Sequence, residues 1–140
     1  MSRTTAREIA MMLAFAQLSG GEDTYESALD KSGIAQTPAE ADKEYIKLVL
    51  EGMSDNREQL DEIIADLAID WSIGRMPRVD LSILRLAVYE MLYCNDIPQG
   101  VSINEAVELA KKYGGEKSSA FINGILGALS KKIKTGELTP

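Results

Sequence analysis

Asp80-Leu-Ser-Ile-Leu-Arg-Leu-Ala-Val-Tyr-Glu-Met-Leu-Tyr93 is the stretch that decides the fold. Leu84, Ala87, Val88, Met91 and Leu92 recur at the three- and four-residue intervals of one helical face, so the spacing predicts a helix over 80–93 with that face on a core. Asn95-Asp96-Ile97-Pro98 ends it. The same period continues in both directions. No run alternates apolar with polar residues over strand length between hairpin turns.

Downstream, Ser102-Ile103-Asn104-Glu105 reads as a capping box, in which the Ser hydroxyl takes the amide three residues on and the Glu reaches back. Ile103, Ala106, Val107 and Ala110 form the buried face of the helix that follows, and Tyr113-Gly114-Gly115 stops it. The last helix starts at Ser118 or Ser119 and carries Phe121, Ile122, Ile125, Leu126, Leu129 and Ile133. Gly124 and Gly127 inside it cost about 1 kcal/mol each against Ala, and close helix packing is the expected reason.

Upstream, Thr5-Ala6-Arg7-Glu8 reads as another capping box before Ile9–Ala16, a segment apolar on nearly all sides. Such a helix is expected to be central. Ser19-Gly20-Gly21 stops it. A short helix is expected over 23–31 and a loop over 33–37. Thr37-Pro38-Ala39-Glu40 then marks a start, with Pro at the first helical position. Ala41, Tyr45, Leu48 and Val49 form the next stripe, the chain kinks or turns within 52–56, and Leu60, Ile63, Ile64 and Leu67 continue toward Trp71. The pattern predicts an all-α bundle of about seven helices in two halves, near 1–75 and 76–140.

Composition narrows the chemistry. The 140 residues contain no His and a single Cys. The commonest general base and metal ligand are therefore missing, and neither an internal disulfide nor a multi-cysteine zinc site can form. No catalytic residue, metal or cofactor is expected; a carboxylate-only hydrolase has no pair of acids whose spacing means more than helix solvation. No segment reads as a signal peptide or membrane span, which predicts a cytoplasmic protein. The net charge of -7 is uneven: residues 20–70 hold 14 acids and 4 bases, whereas residues 111–134 hold six Lys and one Glu. A basic face on an acidic protein is thus allowed.

Four segments resemble the NusB family. They are the Asp80–Leu92 stretch; Ile97-Pro98 followed by Ile103-Asn-Glu-Ala-Val-Glu-Leu-Ala-Lys111; Tyr113-Gly-Gly-Glu116 with Phe121-Ile-Asn-Gly-Ile-Leu126; and Ala6-Arg7-Glu8 with the apolar helix after it. The resemblance implies an all-α RNA-binding protein that is not an enzyme. It further implies binding of the single-stranded boxA element of ribosomal RNA transcripts together with NusE, a ribosomal protein, so that RNA polymerase reads through terminators. Members of the family are monomers or homodimers, and both states stay open.

Site residues follow by position. Arg3 and Arg7 match the family's basic N-terminal stretch and are expected on RNA, where Arg can pair phosphates and stack on bases. They compare with a plain solvated helix start. Phe15 stands where the family has an aromatic near RNA, and reads equally as a core residue. Lys117, Ser118 and Phe121 lie at the start of the last helix, whose free amides and dipole attract phosphate. Asp80 matches an acidic position near the NusE-facing surface, and reads also as an N-cap. Arg85 is expected to pair with Glu90 or with an acid of 55–70. Asn104 and Asn123 are read as structural, and Cys94 as an inert thiol. Two other functions compete: the RNA-binding region of an rRNA cytosine methyltransferase, opposed by the lack of a Gly-rich cofactor loop, and a protein-interaction scaffold docking through the acidic 20–70 region.

Overall fold

A computed structural model describes residues 2–18, 40–69 and 72–138. Among the described residues there are six helices and one 3-10 turn: α1 Arg3–Leu18, α2 Glu40–Asp55, α3 Arg57–Leu67, the turn Ile73–Arg75, α4 Arg78–Tyr93, α5 Gln99–Tyr113 and α6 Ser118–Lys134. The expected helix over 23–31, the Ser19-Gly20-Gly21 stop, the Thr37-Pro38 start and Trp71 lie outside the described residues. No described helix is long and apolar enough to cross a membrane.

The centre belongs to α4, which packs against all five other helices; it was the apolar α1 that the pattern placed there. The burial explains the difference. Every residue of α4 from Asp80 to Leu92 is buried, whereas α1 buries Ala6, Arg7, Ile9, Ala10, Met11 and Leu13 and leaves Phe15 and Gln17 exposed. A single core cluster runs through all six helices.

Polar residues on α4 are buried with its apolar ones. Asp80, Arg85 and Glu90 are five residues apart, so each is rotated by about 140° from the last, and each faces a different neighbour. Arg85 forms a two-pronged pair with Asp61 of α3, at 2.8 Å for both Nε and Nη2, which settles its partner. Glu90 receives Arg7, Tyr45 and Ser102 from three other helices. Asp80 Oδ1 has no hydrogen-bond partner among the described residues.

The helix ends shift from their expected places. Ser2, not Thr5, caps α1: its Oγ accepts the Thr5 amide at 3.2 Å. Pro77 and Pro98 precede α4 and α5 in extended conformation, and Pro needs no amide partner at a helix start. Consequently α5 begins at Gln99, and Ser102 turns inward instead of capping. The predicted turn within 52–56 falls at Asn56, whose backbone amide and side-chain Nδ2 both reach the Gly52 carbonyl. Gly52 itself is buried against Tyr89: a Cβ there would stand 2.1 Å from the ring. Gly124 and Gly127 meet no such neighbour; nothing lies within 4 Å of a Cβ at either. Close packing is therefore not what retains them.

Candidate nucleic-acid interface

Side-chain bonds tie α1, which carries the predicted Arg3, Arg7 and Phe15, to α5. Thr4 Oγ1 donates to Glu105 Oε1 at 2.6 Å, and Arg7 Nη1 stands 3.5 Å from the same oxygen. One turn on, Glu8 Oε1 accepts from Lys112 Nζ at 2.7 Å and from the Tyr113 hydroxyl. Advancing from 4 to 8 on α1 thus matches advancing from 105 to 113 on α5. The end of α5 and the turn after it rise along α1. Thr4, Glu8 and Phe15 share one face of α1, and Phe15, 36% exposed, stands about 10 Å beyond Glu8 along the helix. Lys117 is exposed on the turn. Phe15 and Lys117 are thus both exposed, Phe15 on α1 and Lys117 on the turn after α5.

The turn between α5 and α6 is built around Ser118. Its amide donates to the Gly115 carbonyl at 3.1 Å, and its Oγ accepts the Gly115 amide at 2.9 Å. Gly114 has no room for a side chain, since a Cβ would lie 2.6 Å from Ser118 Cβ and 2.7 Å from the Ala110 carbonyl oxygen. The Ser118 side chain points back into the turn and caps no amide of its own helix, contrary to the N-cap expected of it.

The remaining predicted residues separate. Arg3 leaves this edge for α2: its guanidinium lies 4.4 Å from the centre of the Tyr45 ring, and its Nε is 3.6 Å from Asp42 Oδ1. Its side chain keeps 40% exposure. Arg7 is buried, with Nε 2.9 Å and 3.1 Å from the two Glu90 oxygens. Its expected place on RNA is corrected: a guanidinium committed to a buried carboxylate offers no face to a phosphate. Asp80 is corrected likewise. It is 4% exposed and three residues into α4, so it neither caps the helix nor stands on a partner-facing surface. Phe121 is half-buried against the core. Glu105 bonds α1 and is not part of a capping box.

The residues that sequence reading missed are the fasteners: Glu8, Lys112 and Tyr113 on the edge, and Glu90 with Tyr45 and Ser102 beneath it. Burial and the Glu90 charge hold the Tyr45 phenol far above its ordinary range, so it donates to the carboxylate at every working pH. Burial pushes the Cys94 thiol up to about 11, which keeps it protonated and unreactive. Among the described residues no group of three or more His, Cys, Asp or Glu could hold a metal ion.

Comparison with known proteins places the chain among relatives of one family. The NusB family model matches residues 4–131. Transcription antitermination protein NusB of Acetivibrio thermocellus is 47% identical over 131 residues, covering 94% of this chain and 90% of that one. Its counterpart in Clostridium botulinum (strain Kyoto / Type A2) is 41% identical over 142 residues, with 92% and 99% covered. Among solved structures, T. maritima NusB superimposes with a TM-score of 0.83 at 33% identity, covering 99% of both chains. NusB from a crystal structure of the antitermination factors NusB and NusE with dsRNA gives a TM-score of 0.76 at 28% identity, over 92% of this chain and 96% of that one.

Proposed function

The chain belongs to the NusB family of transcription antitermination factors, and from that premise we propose that it binds a boxA-like single-stranded RNA together with NusE and so promotes read-through by RNA polymerase in the cytoplasm. The observation that carries this reading is the α1–α5 edge, where Glu8 accepts from Lys112 and Tyr113 and ties the end of α5 to the helix that carries Phe15. In this reading Lys117 and the amides at the start of α6 take phosphates, Phe15 stacks on a base, and Phe121 supports the turn from the core side. Arg3 meets RNA only at the far flank. Arg7 serves through Glu90 and Glu105, by fixing α1 to α4 and α5. The solved NusB–NusE–RNA assembly supports NusE as the partner. Local carboxylates temper the positive charge of the edge, which favours RNA binding that depends on NusE.

The test is fluorescence anisotropy of a labelled boxA-like RNA at several salt concentrations, with and without NusE. Binding is expected to strengthen when NusE is added. Lys117→Ala is expected to weaken it across the salt range and to lower the salt slope by about 0.7, the share of one phosphate on a single strand. Equal, weak binding to any RNA, unchanged by NusE, would overturn the reading.

A further inference from the structure

α2 and the turn between α4 and α5 form the walls of a groove of about 440 Å³. Tyr45 and Leu48 of α2 and Ile97 of the turn line it with apolar surface. Tyr45 is buried and Ile97 half-buried, whereas Leu48 is 53% exposed. A single exposed Leu is ordinary. One that lines a groove beside other apolar side chains, inside a charged rim, has the anatomy of a protein-binding patch. The volume lies within the range of about 300–1,000 Å³ that encloses most of a small guest, so a large apolar side chain fits with the backbone on either side of it.

The rim is acidic. Glu44 on α2 and Asp96 on the turn both line the groove and are exposed, and neither has an ion-pair or hydrogen-bond partner among the described residues. Glu51, one turn past Leu48 on the same face of α2, is exposed as well. Arg3 is the single cation among the lining residues, and its charge is already met by the Tyr45 ring and by Asp42, 3.6 Å from its Nε. Lys47 is exposed on α2 but does not line the groove. The unbalanced acids draw cations and repel the phosphates of RNA. They also oppose a two-fold contact between copies of this chain, since such a contact sets each patch against itself. Arg3 and Phe15 stand about 18 Å apart along the axis of α1, so the groove lies well away from the aromatic end of the candidate RNA edge.

We propose that this groove is a docking site for a basic segment of a partner protein, taking one large apolar side chain against Leu48 and Ile97 while Lys or Arg residues next to it pair with Glu44 and Asp96. The apolar contact holds the segment, and the acids select its charge. Docking here stands independently of the antitermination reading.

The protein is to be titrated by fluorescence anisotropy with three short labelled peptides on a Gly/Ser background. One carries a central Leu flanked by Lys, one has that Leu replaced by Ala, and one has the Lys replaced by Glu. At low salt the Lys-flanked Leu peptide is expected to bind roughly tenfold more tightly than either of the others, and to weaken as salt rises. Leu48→Ala is expected to weaken it roughly tenfold, the scale of an anchor contact, and to leave binding of the boxA-like RNA unchanged. Glu44→Lys combined with Asp96→Lys is expected to lose the Lys peptide and to gain the Glu peptide by about the same factor. All three positions are exposed, so these variants keep the fold. No binding of the Lys peptide, or binding that ignores both Leu48→Ala and the charge reversal, would overturn the site. Loss of RNA binding in Leu48→Ala would give the groove to RNA instead. A concentration-dependent dimer in light scattering that Leu48→Ala abolishes would give it to a second copy. Either result overturns docking of a basic segment. A wild type that binds no boxA-like RNA would sink the antitermination reading, while the peptides would still decide what the groove takes.

Discussion

Glu90 and Asp80 lie ten residues apart on the central helix, and both are buried, yet their surroundings differ. Glu90 collects a guanidinium from α1, a phenol from α2 and a hydroxyl from α5. Asp80 has an oxygen without a partner among the described residues. A buried charge with several donors specifies how three helices meet. A buried acid without such donors specifies little about the bundle. The helix thus carries a fastener for the whole fold at one end and a buried acid outside any such network at the other.

The largest way to break this comparison is Glu90→Ala. It leaves the Arg7 guanidinium buried beside nothing but Glu105 and Tyr45, and a buried charge stripped of its partner costs about 3–5 kcal/mol. Urea unfolding is expected to show that loss. Glu90→Gln is expected to lose less, since the amide oxygen still accepts from one donor. A loss under about 1 kcal/mol for Glu90→Ala would mean that apolar packing alone sets the helix positions, and the contrast with Asp80 would disappear.

Gly52→Ala tests whether packing near Glu90 is equally exacting. Tyr89 precedes Glu90 on α4, and its ring fills the space a Cβ would need. Overpacking of this kind costs about 1–3 kcal/mol, so Gly52→Ala is expected to unfold at lower urea than wild type but above Glu90→Ala. Gly52→Ala paired with Tyr89→Leu would sharpen the point: relief of the first change by the second locates the cost at the ring. No relief would place it in the backbone of α2.

Much of this fold was legible because helical period and stop signals act locally. Tyr113-Gly-Gly and the apolar stripes put α5 and α6 within a few residues of their places. What escaped was any bond joining polar residues distant in sequence. Arg7 is expected on RNA because it matches the family's basic N-terminal stretch, and nothing local reveals a carboxylate 83 residues away. One signal was available. Asp80, Arg85 and Glu90 stand five apart on a helix too apolar to spare three solvated faces. Charges spread around such a helix must find partners on the elements that bury it. Ser102 and Glu105 misled for the converse reason: their spacing fits a capping box, but Pro98 starts the helix one turn earlier and turns both side chains to other work. The candidate edge is half legible: Lys117 and Phe15 are named as site residues, whereas Glu8 and Tyr113 read only as parts of a capping box and a helix stop, and the bond between them joins positions 105 residues apart.

The smallest expected effect lies at Asp80, and its sign separates the two acids most finely. Burial raises the Asp80 carboxyl above its ordinary range, with the Ser118 bond opposing that in part. An acid whose pKa is raised on folding is held protonated by the folded state where the unfolded chain has already released its proton. The folded state then binds more protons, and stability falls as pH rises from the ordinary carboxylate value through the raised one. Asp80→Asn has no proton to lose. Relative to wild type it is therefore expected to be more stable at neutral pH, and the advantage is expected to shrink as pH falls from the raised value to the ordinary one. Urea unfolding of both proteins at several pH values between about 3 and 7 checks this. A difference that stays flat over that range would mean that folding does not raise the Asp80 carboxyl. A difference that opens with rising pH would show an acid kept at the start of the helix against stability.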